Sequence, residues 1–178
     1  MRTLYVDGEI LVDRCTKLMD GHVKYSLGAK VSLDADPSTI TKVDCSGFTR
    51  YIFYQACMTK VSGGSWMQNG WLRAQGFATV TYDDVAPNKD NMLRVGYFSK
   101  PADLAAGHIW FILNGKTIES FGGSTKHGPG RRPWDTPVLR SRVSACYEIG
   151  PLKKYEETSG PFGGMCKVVN LDVSDSFE

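Results

Sequence analysis

The chain has 178 residues, of which 42% are hydrophobic and 22% are charged, and this composition predicts an ordinary soluble globular protein. A formal net charge of +2 is too small to indicate nucleic-acid binding, and no apolar run approaches the length of a membrane span. The five cysteines follow no regular spacing, and neither a C-x-x-C pair nor an H-x-x-x-H pair occurs. Neither a disulfide scaffold nor a metal site is therefore indicated, and we expect no cofactor.

The first eight residues lack the apolar core of a signal peptide. We therefore expect synthesis in the cytoplasm. Action on a target outside the cytoplasm would then require export, injection or cell lysis.

Two helices are predicted in the first third of the chain. A helix over residues 8–20 is indicated by apolar residues on one side, namely Ile10, Leu11, Cys15, Leu18 and Met19. After a polar loop over 30–42, a second helix is predicted over about 45–60, with Gly63-Gly64 as its end. A further short helix is indicated near Trp66 and Trp71.

The second helix begins at a cysteine in the stretch Asp44-Cys45-Ser46-Gly47-Phe48. Asp44 is suited to cap the helix, because a carboxylate accepts hydrogen bonds from first-turn amides. Cys45 would then lie at the positive end of the helix, which favours thiolate over thiol. Gly47 would leave room beside the sulfur for a substrate backbone. The pattern is typical of a nucleophilic cysteine, and the alternative is that Cys45 is a small core residue.

From residue 92 onward the pattern predicts strands, over 92–98, 107–113, 116–121 and 143–149. Asn114-Gly115 predicts a two-residue hairpin turn between the second and third of these. The order of elements predicts an α+β fold with helices on one face of a central antiparallel sheet. We expect residues 1–150 to form one domain and 151–178 a C-terminal extension or loosely packed tail.

The hairpin allows side chains to be assigned to faces. If Asn114-Gly115 form the turn, His108 and Glu119 lie on one face and Ser120 lies on the other. His108 could then act as a base toward Cys45, and Glu119 could orient its ring. The alternative for His108 is a buried histidine satisfied by a neighbour. His22 and His127 are weaker candidates and are interpreted as surface residues.

These motifs resemble the NlpC family of papain-like cell-wall cysteine peptidases. The Asp44-Cys45-Ser46-Gly47-Phe48 stretch resembles its nucleophile motif, and Gly107-His108-Ile109 resembles its histidine strand. Tyr25-Ser26-Leu27-Gly28 resembles an upstream Tyr-x-x-Gly segment, and Leu93-Arg94-Val95 resembles a G-D-L strand without its acidic residue. The resemblance covers roughly residues 8–121 and implies a papain-like fold.

The resemblance also implies an activity, the hydrolysis of amide bonds in peptidoglycan stem peptides, typically between γ-D-glutamate and diaminopimelate. Cys45 would attack the carbonyl and His108 would protonate the leaving amine, with Glu119 as the third polar residue. The Cys45 amide and Tyr25 would stabilise the oxyanion. The family's residues beside the cysteine hold a stem-peptide amine, which makes Asp44 and Ser46 candidate substrate contacts.

Three questions remain open at this stage: the activity, the biological setting and the role of a basic loop. The chain could be a papain-like amidase or acyltransferase on another substrate, or a catalytically silent binding or tail-assembly module. A cell-wall enzyme could be a secreted antibacterial effector with an immunity protein and secretion machinery as partners, a phage lytic enzyme, or a cytoplasmic recycling enzyme. A basic loop could attract the carboxylates of wall peptides or be a solvated surface, and its residues are Lys126, Arg131, Arg132, Arg140 and Arg142.

Overall fold

The structure is a computed structural model that describes residues 1–100, 106–122, 128–158 and 165–173. Three helices of two turns or more occur in these ranges: α1 (Gly8–Met19), α2 (Cys45–Cys57) and α3 (Ser65–Ala74). Shorter helices are α4 (Tyr82–Val85) and α5 (Pro137–Arg140), and residues Pro37–Thr39 form a 3-10 turn. The predicted helices over 8–20 and from residue 45 are therefore present.

The strands form one large sheet and one small sheet. Along the large sheet the order is β1 (Val6–Asp7), β9 (Ala145–Thr158), β5 (Met92–Phe98), β6 (His108–Leu113), β7 (Lys116–Phe121) and β8 (Gly128–Gly130). Two further strands, β4 (Ala78–Thr79) and β10 (Met165–Asn170), also pair with β9. The small sheet consists of β2 (Lys24–Tyr25) and β3 (Lys42–Val43).

The sheet is mixed, and the prediction of a purely antiparallel sheet is wrong in this detail. β1 runs parallel to β9, with Val6 opposite Leu152, and β2 runs parallel to β3. The four central strands β9, β5, β6 and β7 pair in antiparallel fashion as expected. Strands of two residues are too short to show a period, so the sequence pattern could not reveal that β1 and β2 pair at all.

β9 runs without a break through residue 150, where the sequence predicted the first domain to end. The first half of β9 pairs with β5, and its second half pairs with β1 and β10. Leu152 and Val173, both beyond that boundary, are buried in the same core as the helices. The described part of 151–178 therefore extends the main sheet and packs against the core.

Helix α2 lies at the centre of the core. Its buried apolar side chains include Phe48, Ile52 and Phe53, which are fully shielded from solvent. Phe53 makes an edge-to-face contact with Phe111 of β6, with 5.2 Å between ring centroids. Because both faces of α2 are covered, the helix cannot shift without disturbing the sheet, and its first residue is held in place.

The end of α2 differs from the prediction. The helix ends at Cys57, and Met58 follows in the left-handed conformation with φ of 49°. The backbone N–H of Met58 donates to the Phe53 carbonyl, which satisfies one of the last helical acceptors. Gly64, expected to end α2, instead precedes the first residue of α3.

Candidate functional site

Cys45 is the first residue of α2 and is nearly buried. Asp44 caps the helix, and its Oδ1 accepts a hydrogen bond from the Gly47 N–H at 2.5 Å. From α3, the Gln68 Nε2 donates to the Ser46 carbonyl at 2.8 Å. The first turn is therefore fixed from both sides, and the thiol lies at the positive end of the helix. Gln68 was not identified from the sequence, because an isolated glutamine on a helix carries no signal.

Gly47 has a different role from the one expected. A Cβ at this position would lie 2.6 Å from the Ala29 carbonyl oxygen, so the missing side chain permits close backbone packing. The same Ala29 oxygen accepts a hydrogen bond from the Asp44 N–H at 3.1 Å. Gly47 therefore holds the loop before β3 against the nucleophile helix, and substrate approach is not needed to explain it.

His108 is the first residue of β6, and its ring is held by aromatic neighbours. The imidazole stacks on Trp110 at 5.5 Å between centroids and 18° between planes, and it also contacts Phe98. Only 12% of its side chain is exposed. The ring therefore has little freedom to turn away from the start of α2.

His108 and Glu119 come together as the hairpin arithmetic predicts. His108 Nε2 lies 2.6 Å from Glu119 Oε2, and the Cys45 side chain is near enough to His108 to raise its pKa. Because Nε2 faces the carboxylate, Nδ1 is the nitrogen left for the sulfur. Burial lowers the pKa of His108, but the hydrogen bonds and negative charges of Cys45 and Glu119 outweigh it and raise this pKa to about 9.

Glu119 is fully buried and is the centre of a charged network. Its Oε1 accepts from Thr117 Oγ1 at 2.6 Å and from Arg132 Nε at 2.9 Å, and its Oε2 accepts from Arg132 Nη2 at 2.7 Å. Burial raises the pKa of Glu119, but its bonds to His108 and Arg132 prevail and lower it to about 2. The carboxylate is therefore ionised at every pH at which the protein would be assayed.

Arg132 is a member of the site that the sequence analysis placed only within a basic loop. It forms a bidentate pair with Glu119, and its guanidinium lies 4.3 Å from the ring centroid of Phe121. The signal that could have revealed it is Glu119, since a carboxylate buried in a strand requires charged or hydrogen-bonding partners, and a cation such as Arg132 supplies both.

Ser120 points to the opposite face of β7, as the register predicts. Its Oγ donates to the Val43 carbonyl at 3.0 Å, just before the nucleophile motif. The hairpin pairs Phe111 with Ile118, Ile112 with Thr117 and Leu113 with Lys116, so the predicted register is confirmed. Asn114 and Gly115 both have positive φ, as a type I′ turn requires.

Tyr25 ends β2 and lies near Cys45. Burial, aided by the negative charges of Cys45 and Asp44, raises the pKa of its hydroxyl to about 12. The hydroxyl therefore stays protonated and can act as a hydrogen-bond donor near the sulfur. This position is compatible with the expected oxyanion role, which stays a prediction.

Asp44 and Ser46, the expected substrate contacts, are joined to a lysine of the same chain. The Lys30 ammonium forms an ion pair with Asp44 Oδ2 and donates to Ser46 Oγ at 2.9 Å. Ser46 Oγ in turn donates to Asp44 Oδ1 at 3.0 Å. Lys30 was not singled out from the sequence, because a lysine in a polar loop is usually solvated.

Two cavities open on either side of the Cys45–His108 pair. The histidine-side cavity, of about 430 Å³, is lined by Tyr25, Leu27, Phe98, Ala106, Gly107, His108, Phe121, Gly122, Arg132, Val138, Leu139 and Arg142. The cysteine-side cavity, of about 310 Å³, is lined by Leu27, Gly28, Lys30, Asp44, Cys45, Ser46, Gly64, Ser65, Trp66, Tyr97, Lys100, Ala106 and Gly107. Leu27, Ala106 and Gly107 line both, so the two cavities adjoin next to His108.

Other predicted candidates lie elsewhere or outside the described ranges. His22 contacts Asp20 and the Pro37 carbonyl on the surface, away from Cys45. His127 and Lys126 lie outside the described residues. Arg140 pairs with Asp83 on the surface.

The other described thiols remain protonated at neutral pH. Burial raises the pKa of Cys15, Cys57 and Cys146 to about 12 in each case. All three, like Cys45, are free thiols. Within the described ranges, no group of three or more His, Cys, Asp or Glu side chains could hold a metal ion.

Comparison with solved structures identifies the fold. The chain superposes on NlpC1 from Trichomonas vaginalis with a TM-score of 0.53 and 15% identity over 80% of this chain and 44% of that one. NlpC2 from the same organism gives 0.52 and 16% over 80% and 46% of the two chains. An NlpC/P60 family protein from Bacillus cereus gives 0.54 and 16% over 80% and 40%.

The chain therefore has the fold of these NlpC/P60 structures, and the predicted α+β fold class is confirmed. It spans less than half the length of each of these structures. No family model matches the sequence, and no curated protein matches it. Across the described ranges, no helix is both long and apolar enough to span a bilayer.

Proposed function

We propose that the protein is a cysteine peptidase or amidase in which Cys45 is the nucleophile and His108 the general acid and base. The observation that carries this proposal is a histidine held at one nitrogen by Glu119, beside a helix-start thiol that raises its pKa. A thiol, a base and an orienting carboxylate in hydrogen-bond contact are what acyl transfer through a thioester requires.

The proposed reaction has two stages. The Cys45 sulfur attacks the carbonyl carbon of an amide, and the His108 imidazolium gives its proton to the leaving amine as the C–N bond breaks. Water then attacks the thioester while His108 accepts its proton, which releases the acid and the thiol. The Cys45 N–H and the Tyr25 hydroxyl are the donors proposed for the oxyanion.

We propose amide bonds of peptidoglycan stem peptides as the substrate, with the γ-D-glutamate–diaminopimelate bond as the first to test. Support comes from the fold and from cationic side chains in both cavities, which include Lys30 and Arg132, because wall peptides carry carboxylates. We further propose that the chain acts in the periplasm or cell wall.

The test is digestion of purified muropeptides, with products identified by mass. Wild-type protein is expected to cleave them, and Cys45→Ala and His108→Ala are expected to lose this activity while keeping the wild-type circular dichroism. Cys57→Ser is the matched control and should remain active, because that half-buried thiol lies at the other end of α2. Full activity in either active-site variant would refute the peptidase assignment.

A second set of experiments distinguishes an enzyme from a catalytically silent module and tests in which compartment the protein acts. Iodoacetamide at mildly acidic pH should alkylate Cys45 in preference to the buried thiols, and no such preference would favour a silent module. Expression with an added periplasmic signal should lyse bacteria, whereas expression without it should not. Equal toxicity in both compartments would point to a cytosolic target.

A further inference from the structure

Asp44 has no capacity left to bind a substrate. An ionised carboxylate has about four lone-pair sites. In Asp44 these are occupied by the Gly28 N–H at 3.0 Å and Lys30 on Oδ2, and by the Gly47 N–H and the Ser46 hydroxyl on Oδ1. Only 5% of the Asp44 side chain is exposed. A cation in the cysteine-side cavity could therefore reach this carboxylate only by displacing Lys30.

Lys30 is the one partner of Asp44 that presents a charge to the cavity. Its side chain is 30% exposed and lines the cavity beside Cys45. An ammonium has three N–H donors, and the contacts to Asp44 and Ser46 use two of them. The third is available to an acceptor that enters the cavity.

The charged side chains that line this cavity give it a positive balance. They are Lys30 and Lys100 against Asp44 alone, among the described residues. Because a cavity wall of low dielectric strengthens the field of such charges, a carboxylate is favoured there and a free amine is repelled.

We propose that Lys30 is a specificity-determining residue that selects a substrate carrying a carboxylate, and not a free amine, in the cysteine-side cavity. This inference rests on the proposed function, since it names the chemistry of one side of the cleaved amide. Lys30 converts a site whose only acid would attract amines into a cationic site. The acyl portion of the substrate is thus required to be blocked or acidic at the end that enters this cavity.

The first experiment measures the charge of the cavity without any substrate. Cys45 is modified by two methanethiosulfonates, one with a sulfonate group and one with a trimethylammonium group, and the rate at the Cys45 peptide is followed by mass. We expect wild type to favour the anionic reagent. Lys30→Met should lower the ratio of anionic to cationic rates by about tenfold, because one positive charge near the thiol is lost. Lys30→Arg should preserve the ratio.

Lys42→Met is the matched control. Lys42 lies in β3, two residues before Asp44, but its side chain is exposed and lines neither cavity. Its removal changes the net charge equally and should leave the ratio unchanged. If Lys30→Met behaves like Lys42→Met, the proposal is wrong.

The second experiment uses a pair of cleavable stem peptides that differ only in a free or a succinylated amino terminus. Wild type should cleave the succinylated peptide with the higher kcat/KM, and Lys30→Met should shift this preference toward the free amine by about tenfold. If both peptides are cleaved and neither ratio responds to Lys30→Met, the inference fails and the proposed function stands. If no peptide is cleaved but the reagent ratio shifts, the proposed function fails and the charge assignment of Lys30 stands.

Discussion

Glu119 is a fully buried carboxylate, which ordinary core packing does not explain. A fully buried carboxylate is tolerated only when it is paired and hydrogen-bonded, and here Arg132, Thr117 and His108 supply every partner. The network fixes the histidine ring through one nitrogen and leaves the other for the thiol. In the proposed mechanism, Glu119 and Arg132 would therefore position His108.

The roles of Glu119 and its neighbour Ser120 can be separated by mutation. Glu119→Gln is expected to lower muropeptide turnover by roughly tenfold to a thousandfold, because the imidazolium loses its carboxylate while aromatic packing still orients the ring. Ser120→Ala should be nearly silent in turnover, since its hydroxyl bonds the Val43 carbonyl on the other face and its loss costs about 1 kcal/mol of stability. Both rates are measured on protein whose thermal unfolding shows that it is folded. If Ser120→Ala lost most of its turnover while Glu119→Gln kept it, the assignment of Glu119 as the partner of His108 would be wrong.

The raised pKa of His108 predicts the alkaline limit of activity. In the proposed mechanism His108 donates a proton to the leaving amine, so kcat/KM should hold through neutral pH and fall as the pH rises through about 9. The stability of the fold should change with pH in the same direction as the activity. The pKa of His108 in the folded state lies above its ordinary value of about 6.5. The protonated His108 therefore contributes fully to the free energy of unfolding below pH 6.5, and this contribution is lost as the pH rises to about 9. The check is a pH profile of muropeptide cleavage. A fall in kcat/KM already near pH 6.5 would show that the hydrogen-bond network does not stabilise protonated His108.

Much of the site could be predicted from the sequence because it depends on local rules. A helix cap and a cysteine one residue later place Cys45 at a helix start, and the Asn-Gly hairpin places His108 and Glu119 on one face. The resemblance to the NlpC family joined the cysteine to the histidine. Lys30, Gln68 and Arg132 could not be predicted in the same way. They lie on loops or on a separate helix, and only tertiary packing brings them to α2 and β7.

At the scale of elements, the sequence indicated which segments are helices and strands but not how they end or pair. α2 ends at a methionine in the left-handed conformation, where a glycine signal was expected further on. β8 lies in a segment interpreted as a glycine-rich loop, because Gly128-Pro129-Gly130 has no strand propensity of its own. Its pairing with β7 is imposed by the sheet and brings Arg132 to Glu119.

The strained end of α2 offers a stabilising substitution. Met58 has φ of 49° and is 79% exposed, so its side chain contributes little packing to offset the cost of the left-handed conformation. Met58→Gly is expected to raise the free energy of unfolding by about 0.5–1 kcal/mol, measured by urea denaturation. Met58→Ala is the matched control, because it removes the same exposed atoms but keeps the Cβ, and it should change stability by less than about 0.5 kcal/mol. An equal gain in both variants would show that conformational strain is not the cause.

For the whole molecule, β9 joins the parts that the sequence separated. It carries β5 and the central strands on one side and β1 and β10 on the other, so the chain's first strand and its last described strand both pair with it. β1 is the end strand of the sheet, and α1 begins directly after it. The boundary at residue 150 follows from proline and glycine content, which marks turns well but cannot show that a strand continues through Gly150-Pro151.

This connection makes a definite prediction about truncation. A chain that stops after Gly150 loses the β1–β9 pairing at Leu152 and the burial of Leu152 and Val173, whose side chains are at most 3% exposed. Loss of one large buried apolar side chain costs about 2–5 kcal/mol, and domains of this size are stable by only about 5–15 kcal/mol. We expect this truncation to lose cooperative thermal unfolding and muropeptide cleavage together, although every residue that contacts Cys45 or His108 is retained. A chain that stops after Val173 keeps all of these contacts and should unfold with the wild-type midpoint. If residues 1–150 alone unfold cooperatively at that midpoint, the C-terminal segment is a separable extension and its strands add nothing to the stability of the site.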